Sequence, residues 1–436
     1  MKNFKDSGIE WLGEIPEYWE VVTLKYLVEK IIGGGTPDTS NLDYWTNNKK
    51  DGYLWVSIED ITKSSFITDT KRYITQNGLK SSSAKLIPPF SILYSIYASL
   101  GKIAYSDQIL TTNQAILGIQ SNHKLVFYKF LFYYLCNTTN YVTILSSMTT
   151  QNNISLSVVA NLKIPLPPLK EQEQIANFLD EKCEQIKNFI EKKEKLINLL
   201  KEQKQALINE TITKGLDKNV NFKDSGIEWL GEIPEYWEVV TLKYLVEKII
   251  GGGTPDTSNL DYWTNNKKDG YLWVSIEDIT KSSFITDTKR YITQNGLKSS
   301  SAKLIPPFSI LYSIYASLGK IAYSDQILTT NQAILGIQSN HKLVFYKFLF
   351  YYLCNTTNYV TILSSMTTQN NISLSVVANL KIPLPPLKEQ EQIANFLDEK
   401  CEKIDLLIEK TEKQIKLIKE YKTTLINQAV CGRINL

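Results

Sequence analysis

Residues 3–184 of this 436-residue chain recur at 221–402 without one change, Asn3 falling on Asn221 and Glu184 on Glu402, an offset of 218. Solenoid and propeller repeats are short, roughly 20–50 residues. A period this long instead predicts one folded domain written twice. After Glu184 the copies drift but stay aligned, QIKNFIEKKEKLINLLKEQKQALIN facing KIDLLIEKTEKQIKLIKEYKTTLIN.

Each copy has two parts. The first mixes short apolar runs, YLWVSIEDI, PFSILYSIYASLG and QAILGIQ, with the turn segments GGGTPDTSN, TQNGLKSSSAK and SNHK. Ile, Val, Tyr and Phe suit pleated, half-buried strands. KLVFYKFLFYYLC, from Lys124 to Cys136, is read as a buried helix on its length. The prolines of KIPLPPL, Lys163 to Leu169, close this part, because proline continues neither a helix nor a central strand.

The second part is a helix. Lys170 to Asn209 holds no Gly or Pro. Ala176, Leu179, Cys183, Ile186, Ile190, Lys193, Ile197, Leu200, Lys204 and Leu207 step by three and four, a heptad seam. The second copy supplies Ala394, Leu397, Cys401, Ile404, Ile408, Thr411, Ile415, Ile418, Lys422 and Leu425. Eight Lys balance eight acids between Lys170 and Lys204, as suits a salt-bridged coiled-coil face better than a phosphate-binding arm. A helix of about 38 residues spans ~57 Å. Antiparallel pairing lets a short linker deliver the second copy beside the far end of the first helix, whereas parallel pairing would force a long crossing. The fold expected is α+β. Two β-rich mixed domains, 1–168 and 222–386, are joined by two long helices, 169–210 and 387–436 with the C-terminal tail. The helices form an antiparallel coiled coil with pseudo-two-fold symmetry, and 211–221 is a linker. A two-fold reader matches the two-fold axes of duplex DNA and should read inverted half-sites.

Other classes find little support in the residues. Net charge is only +3, so a DNA-binding surface would have to come from local clustering. No signal-peptide pattern and no run of about 18 apolar residues occurs, so no membrane span is expected. Five cysteines without a CxxC pair read as free thiols of a reduced, cytoplasmic protein. Two histidines give a metal site little to work with, and neither metal nor cofactor is expected. Ile87-Pro88-Pro89-Phe90 lacks the leading amide or carboxylate of an amino-methyltransferase motif and reads as a turn. Gly33 to Pro37 lacks the GxGxxG spacing of a nucleotide cradle, and no GxxxxGK[ST] occurs. Glu59-Asp60 reads as an isolated, solvated pair, and His123 and His341 as turn residues.

Several segments resemble the specificity subunits of Type I restriction–modification systems. DSGIEWLGEIPEYWEVVTLKYL (Asp6 to Leu27) is similar to their opening segment, and GGTP (Gly34 to Pro37) and TNQA (Thr112 to Ala115) recur in their target-recognition domains. IPLPPLKEQEQIANFLD (Ile164 to Asp180) resembles the junction into the conserved helix, and LINQAVCGRI (Leu425 to Ile434) the helix end. The resemblance covers essentially the whole chain. It implies a non-catalytic subunit with two target-recognition domains, each binding half of a bipartite site in double-stranded DNA. It also implies that each half docks one modification subunit, two in all, which methylate adenine, and that restriction subunits can join. Most such proteins carry two different recognition domains. Here they are identical, so the target should be symmetric. A coiled-coil scaffold with two identical ligand-binding heads is the alternative reading.

Contacts to DNA are expected from loops. Trp45 to Tyr105 carries eight Lys/Arg against four acids. The candidates are Lys49, Lys50, Lys63, Arg72, Lys80, Lys85 and Lys102, with Ser81 and Ser82 as phosphate-contacting hydroxyls. Thr112, Asn113, Gln114, Gln151 and Asn152 add groups suited to base-edge or backbone bonds. In the second copy they are Lys267, Lys268, Lys281, Arg290, Lys298, Lys303, Lys320, Asn331, Gln332, Gln369 and Asn370. For any one of them a solvated loop or turn-capping role is the competing reading, Asn113 in particular.

Overall fold

In a computed structural model of the chain, the structure describes residues 3–97, 99–147, 153–227, 229–315, 317–365 and 371–436. They gather into two units, Met1–Glu194 with Lys413–Leu436, and Lys195–Glu412. The first copy runs β1 (Phe4–Asp6), β2 (Glu14–Pro16), β3 (Glu20–Thr23), β4 (Val28–Gly33), β5 (Trp45–Thr46), β6 (Tyr53–Val56), α1 (Ile58–Lys63), β7 (Tyr73–Ile74), α2 (Gln76–Lys80), β8 (Ile92–Ser95), β9 (Ile103–Tyr105), β10 (Leu110–Thr112), β11 (Ile116–Ser121), α3 (Tyr128–Asn137), α4 (Thr139–Ser147), α5 (Leu156–Ala160), β12 (Lys163–Leu166) and α6 (Leu169–Lys214). The second copy repeats these as β13 to β24 and α7 to α11, every bound raised by 218, and closes with α12 (Leu387–Val430).

An antiparallel sheet, β4-β11-β8-β9, forms the centre of each head. Its two faces enter different cores. Ile92, Tyr94, Leu117 and Ile119 pack with Phe130, Leu131 and Tyr134 of α3. Leu93, Ala104 and Ile116 pack with Leu54, Val56 and Leu110 of a second sheet, β10-β6-β7-β5, in which β10 and β6 are parallel. A sheet covered on both faces has no polar side, so β8 reads as one apolar run instead of an alternation. The expected turn falls at Pro89-Phe90, with Phe90 held at φ 62°, while buried Ile87 instead bridges Leu110 of β10.

Polar ties fasten α6 to its head. Glu171 accepts from the Tyr18 hydroxyl (2.9 Å) and the Trp19 indole (3.2 Å), so the opening segment grips the start of the helix. Fully buried Gln172 accepts from Phe127 N–H (2.7 Å) and donates to the Pro167 carbonyl (2.8 Å). Asp180 binds the Lys129 ammonium and accepts from the Tyr133 hydroxyl (2.7 Å).

No seam position is exposed on either helix. In the unit that holds the second head, Lys204 of α6 reaches both carboxylate oxygens of Asp405 at 2.7 Å. Further along α6, Ile208 and Ile212 share a core with Ile393 and Leu397 of α12. Numbers rise on one helix as they fall on the other, so the segments run antiparallel. In the other unit Leu425, Ala429 and Val430 join Ile175, Leu179 and Ile186 in one core. The expected linker 211–221 is corrected at its start. Thr211, Ile212 and Thr213 are buried and α6 continues to Lys214, because Ile212 packs in the core with Trp237. The helices measure 46 and 44 residues, longer than the 38 expected. Among the described residues no helix is long and apolar enough to cross a membrane. The five cysteines are free thiols.

Candidate nucleic-acid interface

Segments distant in sequence meet at the β6–β10 edge of the second sheet. Gly34 approaches the Asn113 backbone so closely that an added Cβ would lie 1.9 Å from its carbonyl oxygen. At Gly35 the same atom would lie 2.3 Å from Ala84 N. Only glycines allow this approach. Gly35 N–H donates to the Thr112 carbonyl (2.8 Å), and its own carbonyl accepts from the Trp55 indole (3.0 Å). The Thr36 hydroxyl donates to the Gln114 amide oxygen. Asn113 Oδ1 accepts from Ala115 N–H (3.1 Å), so this side chain does close its own turn. GGTP, TNQA and the Ser83-Ala84 loop therefore form one cluster, with exposed Gln114 on its surface.

Beside this cluster stands a stack of rings. Trp45 meets Trp55 edge-on with centroids 5.0 Å apart, and its indole donates to the Asp38 carbonyl (3.0 Å). The Arg72 guanidinium lies over the Trp45 ring at 4.0 Å. In the second copy Trp263 and Trp273 stand 4.9 Å apart, Arg290 lies 5.7 Å from the Trp263 ring, and Thr254 donates to Gln332.

The remaining candidates divide. Lys50, Lys80, Lys85 and Lys102, with Lys268, Lys298, Lys303 and Lys320, are exposed and form no ion pair among the described residues. Lys49 and Lys267 donate to the carbonyls of Thr68 (2.9 Å) and Thr286 (3.0 Å). Lys63 pairs with Glu59 at 2.5 Å, and Lys281 with Glu277 at the same distance. Glu59 is not the isolated carboxylate expected. It also holds Lys71 at 2.7 Å, and the hydrogen bonds from the two lysines pull its carboxyl down to about 2. Asp60 caps α1 through Ser57. In the second head's unit, Lys281 and Lys320 line a cavity of about 460 Å³ together with Gln205 of α6 and Asn355.

Three expectations need correction. Thr112 is fully buried and donates to the Ile116 carbonyl (3.0 Å), so it holds the loop from inside. Ser81 and Ser82 spend their hydroxyls on the Gly78 carbonyl (3.3 and 2.8 Å), where α2 ends. Asn331, like Asn113, caps its own turn. Gln151, Asn152, Gln369 and Asn370 lie outside the described residues. The sequence reading passed over the Trp45–Trp55 pair, Thr36 and Lys71. A signal for Trp55 exists in YLWV, where Leu54 and Val56 are buried and Tyr53 and Trp55 fall on the opposite, half-buried face.

Two heads with the same loop cluster, each seated on a long helix paired with a second, define a two-headed recognition protein. The chain belongs to the Type I restriction modification DNA specificity domain family, whose pattern matches residues 16–209 and again 234–417. It is 30% identical over 449 residues, all of this chain and 97% of the relative, to the protein assigned as the type I restriction enzyme MjaX specificity subunit of Methanocaldococcus jannaschii. The MjaVIII specificity subunit of the same organism is 27% identical, covering all of this chain and 96% of that one. Among solved structures, a chain from a study of complex assembly and conformational transition in a type I R-M system aligns with TM-score 0.76 at 19% identity. It covers 96% of this chain and 99% of its own. The HsdS subunit from Thermoanaerobacter tengcongensis aligns with TM-score 0.54 at 19% identity, over 96% of this chain and 98% of its own.

Proposed function

We propose that this chain selects the DNA sequence for a Type I restriction–modification complex, reading an interrupted palindrome and docking two adenine-modifying subunits, with restriction subunits able to join. It performs no chemistry itself and works in the cytoplasm. Residues 1–168 and 222–386 act as target-recognition domains, α6 (Leu169–Lys214) and α12 (Leu387–Val430) as spacer helices, and 215–221 as the connection. One observation carries the reading: a specificity domain matched twice in a chain whose two heads are identical from 3 to 184 and from 221 to 402. Identical heads carry identical base-reading groups, so both halves of the target should hold the same half-site.

The surface proposed to meet DNA is the loop cluster with its cations: Lys49, Lys50, Lys63, Arg72, Lys80, Lys85, Lys102 and Gln114. In the second head it is Lys267, Lys268, Arg290, Lys298, Lys303 and Gln332, with Lys281 and Lys320 at the cavity described above. Cations fix register on the phosphates and planar groups read base edges. Half-sites on one face of B-DNA should lie ~34–36 Å apart. Methylome sequencing of cells carrying the chain with its modification subunit tests this. The expected motif is palindromic with unspecified pairs at its centre; two unrelated half-sites would refute the two-fold argument.

A further inference from the structure

Resting on that reading, we propose that Arg72 and Arg290 are specificity-determining residues that each read a guanine, so that every half-site of the target holds a G·C pair recognised by this one side chain. Of the 48 cations in the chain only three are arginines, Arg72, Arg290 and Arg433; all others are lysines. Arg433 is spent on structure, donating to the carbonyls of Leu12 (2.7 Å) and Glu14 (3.2 Å). Each head is left with a single arginine, and it stands at the loop cluster.

Its surroundings suit a reader better than an anchor. Arg72 forms no ion pair among the described residues, and its guanidinium lies 4.0 Å over the Trp45 ring. Stacking holds the plane of the group and limits its rotamers while leaving its N–H edge without a carboxylate partner. The support beneath is rigid. Trp45 is pinned by Trp55 and by the Asp38 carbonyl, and Trp55 is pinned by Gly35. The Arg72 backbone is tied as well, its carbonyl accepting from Thr70 Oγ1 (2.9 Å) and Trp55 N–H (3.3 Å). A planar fork of donors matches the O6 and N7 acceptors of guanine in the major groove and no other base as well, whereas lysine supplies only a point charge. Lys50, Lys80 and Lys85 supply phosphate contacts without sequence preference.

Selection from a random duplex library, with the wild-type chain in complex with its modification subunit, should yield a G·C pair at a matching position in both half-sites. Arg72→Ala should relax that pair in one half-site only and make the selected motif asymmetric. The double variant with Arg290→Ala should relax both. Arg72→Lys should lose the same preference, roughly ten- to a hundredfold, while nonspecific binding in low salt holds. An unchanged motif from the folded double alanine variant would overturn the assignment, as would a wild-type motif with no G·C pair in its half-sites. If the wild-type complex selects no motif at all, the DNA reading fails and this assignment with it.

Discussion

Individual side chains in this protein do two jobs that the sequence does not separate. Lys63 and Lys50 look alike on paper, yet one is neutralised by Glu59 and the other stands free in solvent. Glu59 makes the distinction measurable. Its carboxyl is drawn to about 2 by the hydrogen bonds and charges of Lys63 and Lys71. A depressed carboxylate contributes stability that is present above its unfolded value, near 4.5, and is lost as pH falls toward about 2. Titration of the Glu59 carboxyl by NMR should therefore show a midpoint well below that of an ordinary glutamate, and Lys63→Ala with Lys71→Ala should return it to the usual range. A wild-type midpoint near 4.5 would mean the two lysines do not hold it in solution. The corrected residues teach the same lesson. Thr112 and Ser82 are polar and sit near the proposed DNA-contacting groups, but each hydroxyl donates to a backbone carbonyl of its own fold, that of Ile116 or of Gly78.

At the scale of elements, the helices were the most legible part. A seam spaced by three and four needs no tertiary knowledge, and every residue assigned to it is buried or half-buried. The helix ends were less legible, since Thr211 to Lys214 carry no apolar period strong enough to announce that Ile212 reaches a core. Across the two helices the copies differ in one telling place. Asp405 receives Lys204 in one unit, while the first copy has Lys187 at the corresponding position, and Lys422 corresponds to Lys204. Lys422 lies close enough to Cys183 to oppose the rise of its thiol pKa, as Lys204 does for Cys401, so the two lysines occupy equivalent places. Lys187→Asp should give Lys422 the partner that Lys204 already has. Because the Lys204–Asp405 pair is 29% and 57% exposed, the gain should be no more than about 1 kcal/mol. Thermal melts should show it in low salt and lose it in high salt. No rise in low salt would mean that position 187 does not face Lys422.

For the molecule as a whole, duplication is the controlling fact. On the proposed function, identical heads should make the target symmetric, and helix length should set the number of unspecified base pairs. Seven residues inserted into both helices add roughly 10 Å of rise, equivalent to about three base pairs at ~3.4 Å each. The methylated motif should then keep its half-sites and gain that spacing. A spacer unchanged by the insertion would separate helix length from target length. A change made in the recognition loops of both copies should do the reverse, altering half-sites and leaving the spacer alone.

Local order along the chain determined the domain repeat, the α+β class, the helical seam and the family resemblance, because these depend on identity, period and short motifs that survive being read one residue at a time. Which loops meet is a different matter. Gly34 and Asn113 come together only because β6 and β10 pair in parallel, and Trp45 comes under Arg72 only because β5 lies against β7. Those pairings join residues tens of positions apart. No local pattern encodes that distance, so only the tertiary structure decided which of several equivalent cations and amides share a surface.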